Sequence, residues 1–158
     1  MAEKQLDRPN INRNIHPPIV AVIYIAIAYL LGWFVRLPYG VPDWLQMIGF
    51  ALTVTGFLLG VGAFIEFRKA RTTLDPHGSS KQLVSSGIYR FTRNPIYLGF
   101  LLMVIGLPLN TGSYWGALIA PLYIASMNKL VIEHEEAYLE KKFAAIYTSY
   151  KSRVRRWL

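Results

Sequence analysis

Four apolar runs constrain this sequence more than anything else in it. Residues 19–35 carry no charge and residues 44–67 carry only Glu66, at the end of the run. Two further apolar runs, 96–109 and 114–127, are divided by the uncharged turn Asn110, Thr111, Gly112 and Ser113. A hydrocarbon core is about 30 Å thick and a helix rises about 1.5 Å per residue, so roughly 20 apolar residues cross it. The second run meets that length. The first is slightly short, with Trp33 and tyrosines suited to the interfaces and Arg36 able to reach out of the core. The third and fourth runs are shorter, and read either as spans lengthened at their ends or as a hairpin that does not fully cross. The expected fold is all-α: a polytopic membrane protein with four transmembrane helices at about 19–35, 44–67, 95–109 and 114–128. A loop at 68–94 and a C-terminal amphipathic helix at 129–151 complete one domain over residues 1–158. A cleaved leader is the competing reading of the first run, but its polar lead is long and no small-x-small site follows.

Composition agrees with a lipid solvent. Hydrophobic residues make up 53% of the 158, above the soluble norm. The net charge of +8 would suit nucleic acid, but Lys and Arg sit between the apolar runs rather than on one polar domain, so no nucleic-acid partner is expected. Without cysteine there is no disulfide, thiolate metal site or cysteine nucleophile, and His16, His77 and His134 are too scattered to suggest a metal cluster.

Within the second run, Gly49, Thr53, Gly56, Gly60 and Ala63 recur at helical spacing, a stripe on which another helix can approach closely. Gly60 and Gly62 also read as a lone GxG, a weak nucleotide-binding signal. The loop at 68–94 carries the breakers Asp75, Pro76, His77, Gly78, Ser79 and Ser80, and Pro95 suits the first turn of the next helix. Beyond residue 128, Ile132, Leu139, Phe143, Ile146, Tyr147 and Tyr150 recur at helical steps among Lys and Glu, an amphipathic helix that either continues the fourth run into the cytosol or lies along the interface. Of the 17 Lys and Arg residues, only Arg36 falls in the first connection. All others precede the first run, lie between the second and third, or follow the fourth, which puts both termini and the long loop on the cytoplasmic side.

Two segments could carry chemistry. LVSSGIYRFTRNPIYLG, residues 83–99, gathers two arginines, two tyrosines and an Asn-Pro at the start of the third run. Such a segment can hold an anion, or can serve only as a positive, aromatic membrane anchor. Glu133, Glu135 and Glu136 leave the fourth run together, with Glu135 on one stripe with Leu139 and Phe143 and no Lys or Arg four residues beyond any of the three. An acid on an apolar face near the bilayer points to function, with a basic or cationic partner; the alternative is an ion pair with Arg90 or Arg93.

The stretch GIYRFTRNPIYLG, followed by EEAYLEKKFAAIYTSYKSRVRRW, resembles the isoprenylcysteine carboxyl methyltransferase family of integral membrane methyltransferases. Gly87, Tyr89, Arg93, Pro95, Tyr97 and Gly99 match its first motif. Glu135, Glu136, Leu139, Phe143, Tyr147, Tyr150, Val154 and Arg156 match its second. Asn94 stands where the family has histidine, Ala144 where it has glycine and Arg155 where it has proline.

The resemblance implies methyl transfer from S-adenosylmethionine to a lipid-like, isoprenoid or prenylated acceptor at the cytoplasmic face. Cofactor contacts carried over residue by residue fall on Lys81, Gln82, Leu83, Val84, Tyr89, Asn94, Pro95, Ile96, Tyr97 and Glu135. Charge adds to these: a carboxylate such as Glu135 suits the cofactor's sulfonium and amine, and Arg90 or Arg93 suits its carboxylate. Asn94 does not titrate near neutrality, so no residue is assigned as general base. An NADPH-dependent membrane reductase and a non-enzymatic membrane scaffold are the alternatives.

Overall fold

The computed structural model describes residues 15–35, 37–71 and 82–158, together with Pro9 and Asn12. Its helices are α1 (Pro17–Phe34), α2 (Asp43–Lys69), α3 (Pro95–Asn110), α4 (Trp115–Met127) and α5 (Glu133–Arg153), with a 3-10 turn at Gly87–Arg90. A π-helical segment, Asn128–Ile132, joins α4 to α5. No strand occurs among the described residues, as expected where lipid offers no partner to an unpaired backbone group. Proline sets two of the starts: Pro17 and Pro95 occupy first-turn positions, where the missing N–H has no helical acceptor to lose.

The surface is that of an integral membrane protein. Val22 and Leu30 on α1 and Phe50 and Phe57 on α2 are each more than half exposed, an arrangement stable only where the solvent is apolar. Among the described residues, three helices are long and apolar enough to cross: Pro17–Phe34, Asp43–Lys69, and the 39-residue helical stretch Trp115–Arg153 that α4, the π segment and α5 form together. The fourth apolar run therefore gains its length by continuing into the C-terminal helix. α3, with 16 residues, spans only about 24 Å. The C-terminal helix expected at 129–151 begins instead as the π segment and extends to Arg153.

α3 is the axis of the bundle. Tyr97, Leu98, Leu101 and Val104 form the main core with Ala120, Tyr123 and Met127 of α4, Val131 and Ile132 of the π segment, and Ala21 of α1. α2 lies antiparallel on its other side, where Gly49, Gly56 and Ala63 of α2 are buried. A Cβ on Gly99 would stand 2.6 Å from the Gly56 carbonyl oxygen, and one on Gly106 would stand 2.6 Å from that of Gly49. The small-residue stripe thus serves close backbone approach. Gly60 is the exception, since apart from its own stretch of helix no atom lies within 4 Å of where its Cβ would be.

Candidate functional site

The start of α3 and the acidic start of α5 come together at one end of the bundle. The 3-10 turn at Gly87–Arg90 buries Tyr89, whose ring meets Phe67 edge-on at 5.6 Å and whose carbonyl accepts a 2.7 Å hydrogen bond from the Tyr150 hydroxyl. Burial, with the Glu135 carboxylate near, pushes the Tyr89 phenol far above its ordinary range. Two residues into α3, the buried Tyr97 donates its hydroxyl to Oε1 of Glu135 at 2.8 Å. The candidate ligands on either side of the 38-residue gap are therefore in direct contact.

Arg93 pairs with Glu136, not with Glu135 or with an acid of its own segment. Its Nη2 lies 3.2 Å from Glu136 Oε1, and both side chains are about nine-tenths buried. Arg156 closes the same carboxylate from the other side, with Nη2 donating to Oε2 at 2.7 Å and Nε to Oε1 at 3.1 Å. These charge-assisted bonds hold the Arg156 guanidinium above its ordinary pKa. Nε and Nη1 of Arg93 are buried with no acceptor in hydrogen-bonding geometry, although the Tyr147 side chain lies beside the guanidinium. Arg90 is exposed.

The C-terminal tail is built into this cluster. The Arg93 N–H donates to the Arg155 carbonyl at 3.0 Å. The Arg156 carbonyl accepts from Asn94 Nδ2 at 2.9 Å and from Thr92 Oγ1 at 3.2 Å. Trp157 Nε1 donates to Asn128 Oδ1 at 3.1 Å, tying the tail to the π segment.

Of the expected site residues, Tyr89, Arg93, Asn94, Pro95, Tyr97 and Glu135 gather here. Val84 is buried beside Tyr89 and Ala63 in a small apolar cluster against which Ile96 packs. Leu83 is half-buried and Gln82 exposed. Lys81 lies outside the described residues, as do Lys4, Arg8, Arg13 and Arg36 of the charge count. Asn94 caps nothing with its side chain, which is spent on the Arg156 carbonyl.

Two acids play parts that their sequence positions did not assign. Glu136 lies on the inward line Ile132, Glu136, Leu139, Phe143, Tyr147, Tyr150, at steps of four, three, four, four and three, beside the Glu135 that was expected to point inward. Glu135 stands at its edge and reaches α3 through Tyr97. Ile146, expected inward, is 67% exposed. Glu66, the lone charge of the second run, is buried and accepts from Ser86 Oγ and from Lys69 Nζ at 2.8 Å. Its isolation in an apolar run was the signal available.

A family model described as phospholipid methyltransferase matches residues 44–146, from α2 into α5 and about two thirds of the chain. A protein-S-isoprenylcysteine O-methyltransferase of Schizosaccharomyces pombe is 33% identical over 72 residues, 46% of this chain and 30% of that protein. Protein-S-isoprenylcysteine O-methyltransferase B of Arabidopsis thaliana is 26% identical over 113 residues, 70% of this chain and 57% of that protein. An uncharacterised protein of Haemophilus influenzae is 40% identical over 63 residues, 40% of this chain and its own whole length. The chain thus spans between about a third and three fifths of the two methyltransferases it matches. No solved structure matches it.

Proposed function

The chain belongs to the phospholipid methyltransferase family, and from that premise we propose that it transfers a methyl group from S-adenosylmethionine to a lipid-like or prenylated acceptor. The working face is cytoplasmic, with both termini and the 68–94 loop on that side and residues 1–158 acting as one unit. The names borne by the fission yeast and Arabidopsis relatives support a prenylated acceptor, and the family's name supports a phospholipid.

The observation that carries the reading is that one end of α3 holds both the Tyr97-bound Glu135 carboxylate and a buried Arg93 which, paired with Glu136 through Nη2, keeps Nε and Nη1 without an acceptor. The cofactor supplies an electrophilic methyl on a sulfonium, beside an ammonium and a carboxylate. The residues present fit such a group: Glu135 offers the negative charge for its cationic part, and Nε and Nη1 of Arg93 offer donors to its carboxylate. Val84, Pro95 and Ile96 supply apolar walls that keep water from the reacting centre, with Tyr89 and Tyr97 beside them. Leu83, Gln82 and Lys81 belong to the approach by resemblance.

The chain's work in an in-line displacement is alignment and exclusion of water, for which its residues need form no covalent bond. Asn94 serves by its hydrogen bond to the Arg156 carbonyl, which holds the tail against α3, and not by taking a proton. Calorimetry of the detergent-purified protein tests the reading. Binding of S-adenosylmethionine and its demethylated product, without binding of NADPH, is expected. Binding of NADPH alone would assign a reductase instead, and binding of none of the three would leave a scaffold.

A further inference from the structure

We infer that Glu66, in the last turn of α2, is a positioning residue for the cofactor site: it holds the 3-10 turn that carries Tyr89. The inference rests on the proposed reading of that site. Glu66 is an unfavourable residue where it stands. It is an acid at the C-terminal end of a membrane-crossing helix, where the helix dipole is negative and the solvent is apolar. Lys69, three residues on, meets the carboxylate at 2.8 Å from a side chain that is itself 67% exposed.

What the carboxylate does is grip the turn. Oε2 accepts from Ser86 Oγ, and the next residue, Gly87, lies with its backbone against the same carboxyl group. Gly87 has φ +56, a conformation that favours glycine, and a Cβ there would stand 2.7 Å from Glu66 Oε1. The Ser-Gly pair is therefore shaped to Glu66 twice, by a hydroxyl that reaches it and by an absent side chain that makes room for it. The Ser86 carbonyl then accepts the Tyr89 N–H at 3.1 Å, and Phe67, adjacent to Glu66, supplies the ring against which Tyr89 packs. Tyr150 fixes the Tyr89 carbonyl from α5. α2 thus sets one side of Tyr89 and α5 the other. Removing the grip frees the turn without touching Glu135 or Arg93.

The test is calorimetric titration of detergent-purified wild type, Glu66→Ala, Glu66→Gln, Ser86→Ala and the Glu66→Ala/Ser86→Ala double variant with S-adenosylhomocysteine, each accompanied by a melting curve without ligand. Ser86→Ala deletes one hydroxyl at an exposed position and keeps the test open should Glu66→Ala not fold. The expected result is an affinity about tenfold weaker in Glu66→Ala and in Ser86→Ala, no further loss in the double variant, and recovery of most of the affinity in Glu66→Gln, which keeps an acceptor for Ser86. Unchanged affinity in Ser86→Ala, whatever its melting temperature, overturns the inference and leaves the cofactor reading standing. A wild-type protein that does not bind the ligand removes the cofactor reading, and the inference with it.

Discussion

Neighbouring carboxylates in this chain carry different duties, and single substitutions separate them. Glu135→Gln keeps an oxygen to accept the Tyr97 hydroxyl and removes only the charge. It is expected to cost about 1.5 to 3 kcal/mol of cofactor binding, roughly ten- to a hundredfold, with little change in the melting temperature of the free protein. Glu136→Gln does the reverse. It leaves the buried Arg93 and the partly buried Arg156 around a neutral amide, so folding should weaken by roughly 2 to 3 kcal/mol. Calorimetry and melting curves on the two variants read both effects. The inward character of this helix and of Glu135 was legible from the apolar positions, but the inward Glu136 was not, because it stands one step, about 100°, from Glu135. Ala144 was legible only as a departure from a related pattern. It adopts φ +41 and ψ −119 inside α5, a conformation glycine reaches without strain, so the bend there belongs to the backbone and not to the residue.

At the scale of elements, charge-free runs gave the helices and prolines gave their starts, because both signals are local. The continuity of α4 with α5 was one of two readings: no breaker separates them, but a charged helix after Met127 could equally have turned to lie along the interface. The π segment that joins them buries Val131 and Ile132 and lies one residue before the acidic turn, as such segments often do near functional sites. Helix pairing was half legible, since the glycine stripe on α2 showed a close contact but not with which helix. The contact with α3 makes a sharp comparison available. Gly99→Ala forces a methyl toward the Gly56 carbonyl and should destabilise the protein by about 1 to 3 kcal/mol, read by thermal unfolding in detergent. Gly60→Ala, on the same α2 stripe but with open space at its Cβ, should leave the melting temperature near wild type.

Across the whole molecule, the two motif segments were readable as chemistry before their contact was known, but the parts that hold them were not. The backbone carbonyls of Arg155 and Arg156, which seat Arg93, Asn94 and Thr92, have no side-chain signature, and the pairing of Glu66 with Ser86 depends on how α2 meets the 3-10 turn. The architecture that results sets a polar, charged end on an apolar bundle, suited to a water-soluble donor arriving from one side and an acceptor from the bilayer. Sidedness and chemistry can therefore be measured together. Sealed membrane vesicles carrying the protein, prepared in both orientations, would be given S-adenosylmethionine labelled in its methyl group, which does not cross the bilayer unaided. Label should pass into lipid-extractable material in inverted vesicles, whose cytoplasmic face is outward, should not do so in right-side-out vesicles, and should be lost in inverted vesicles carrying Glu135→Gln. Absence of transfer from inverted vesicles, or equal transfer in both orientations, would contradict a methyltransferase working at the cytoplasmic face.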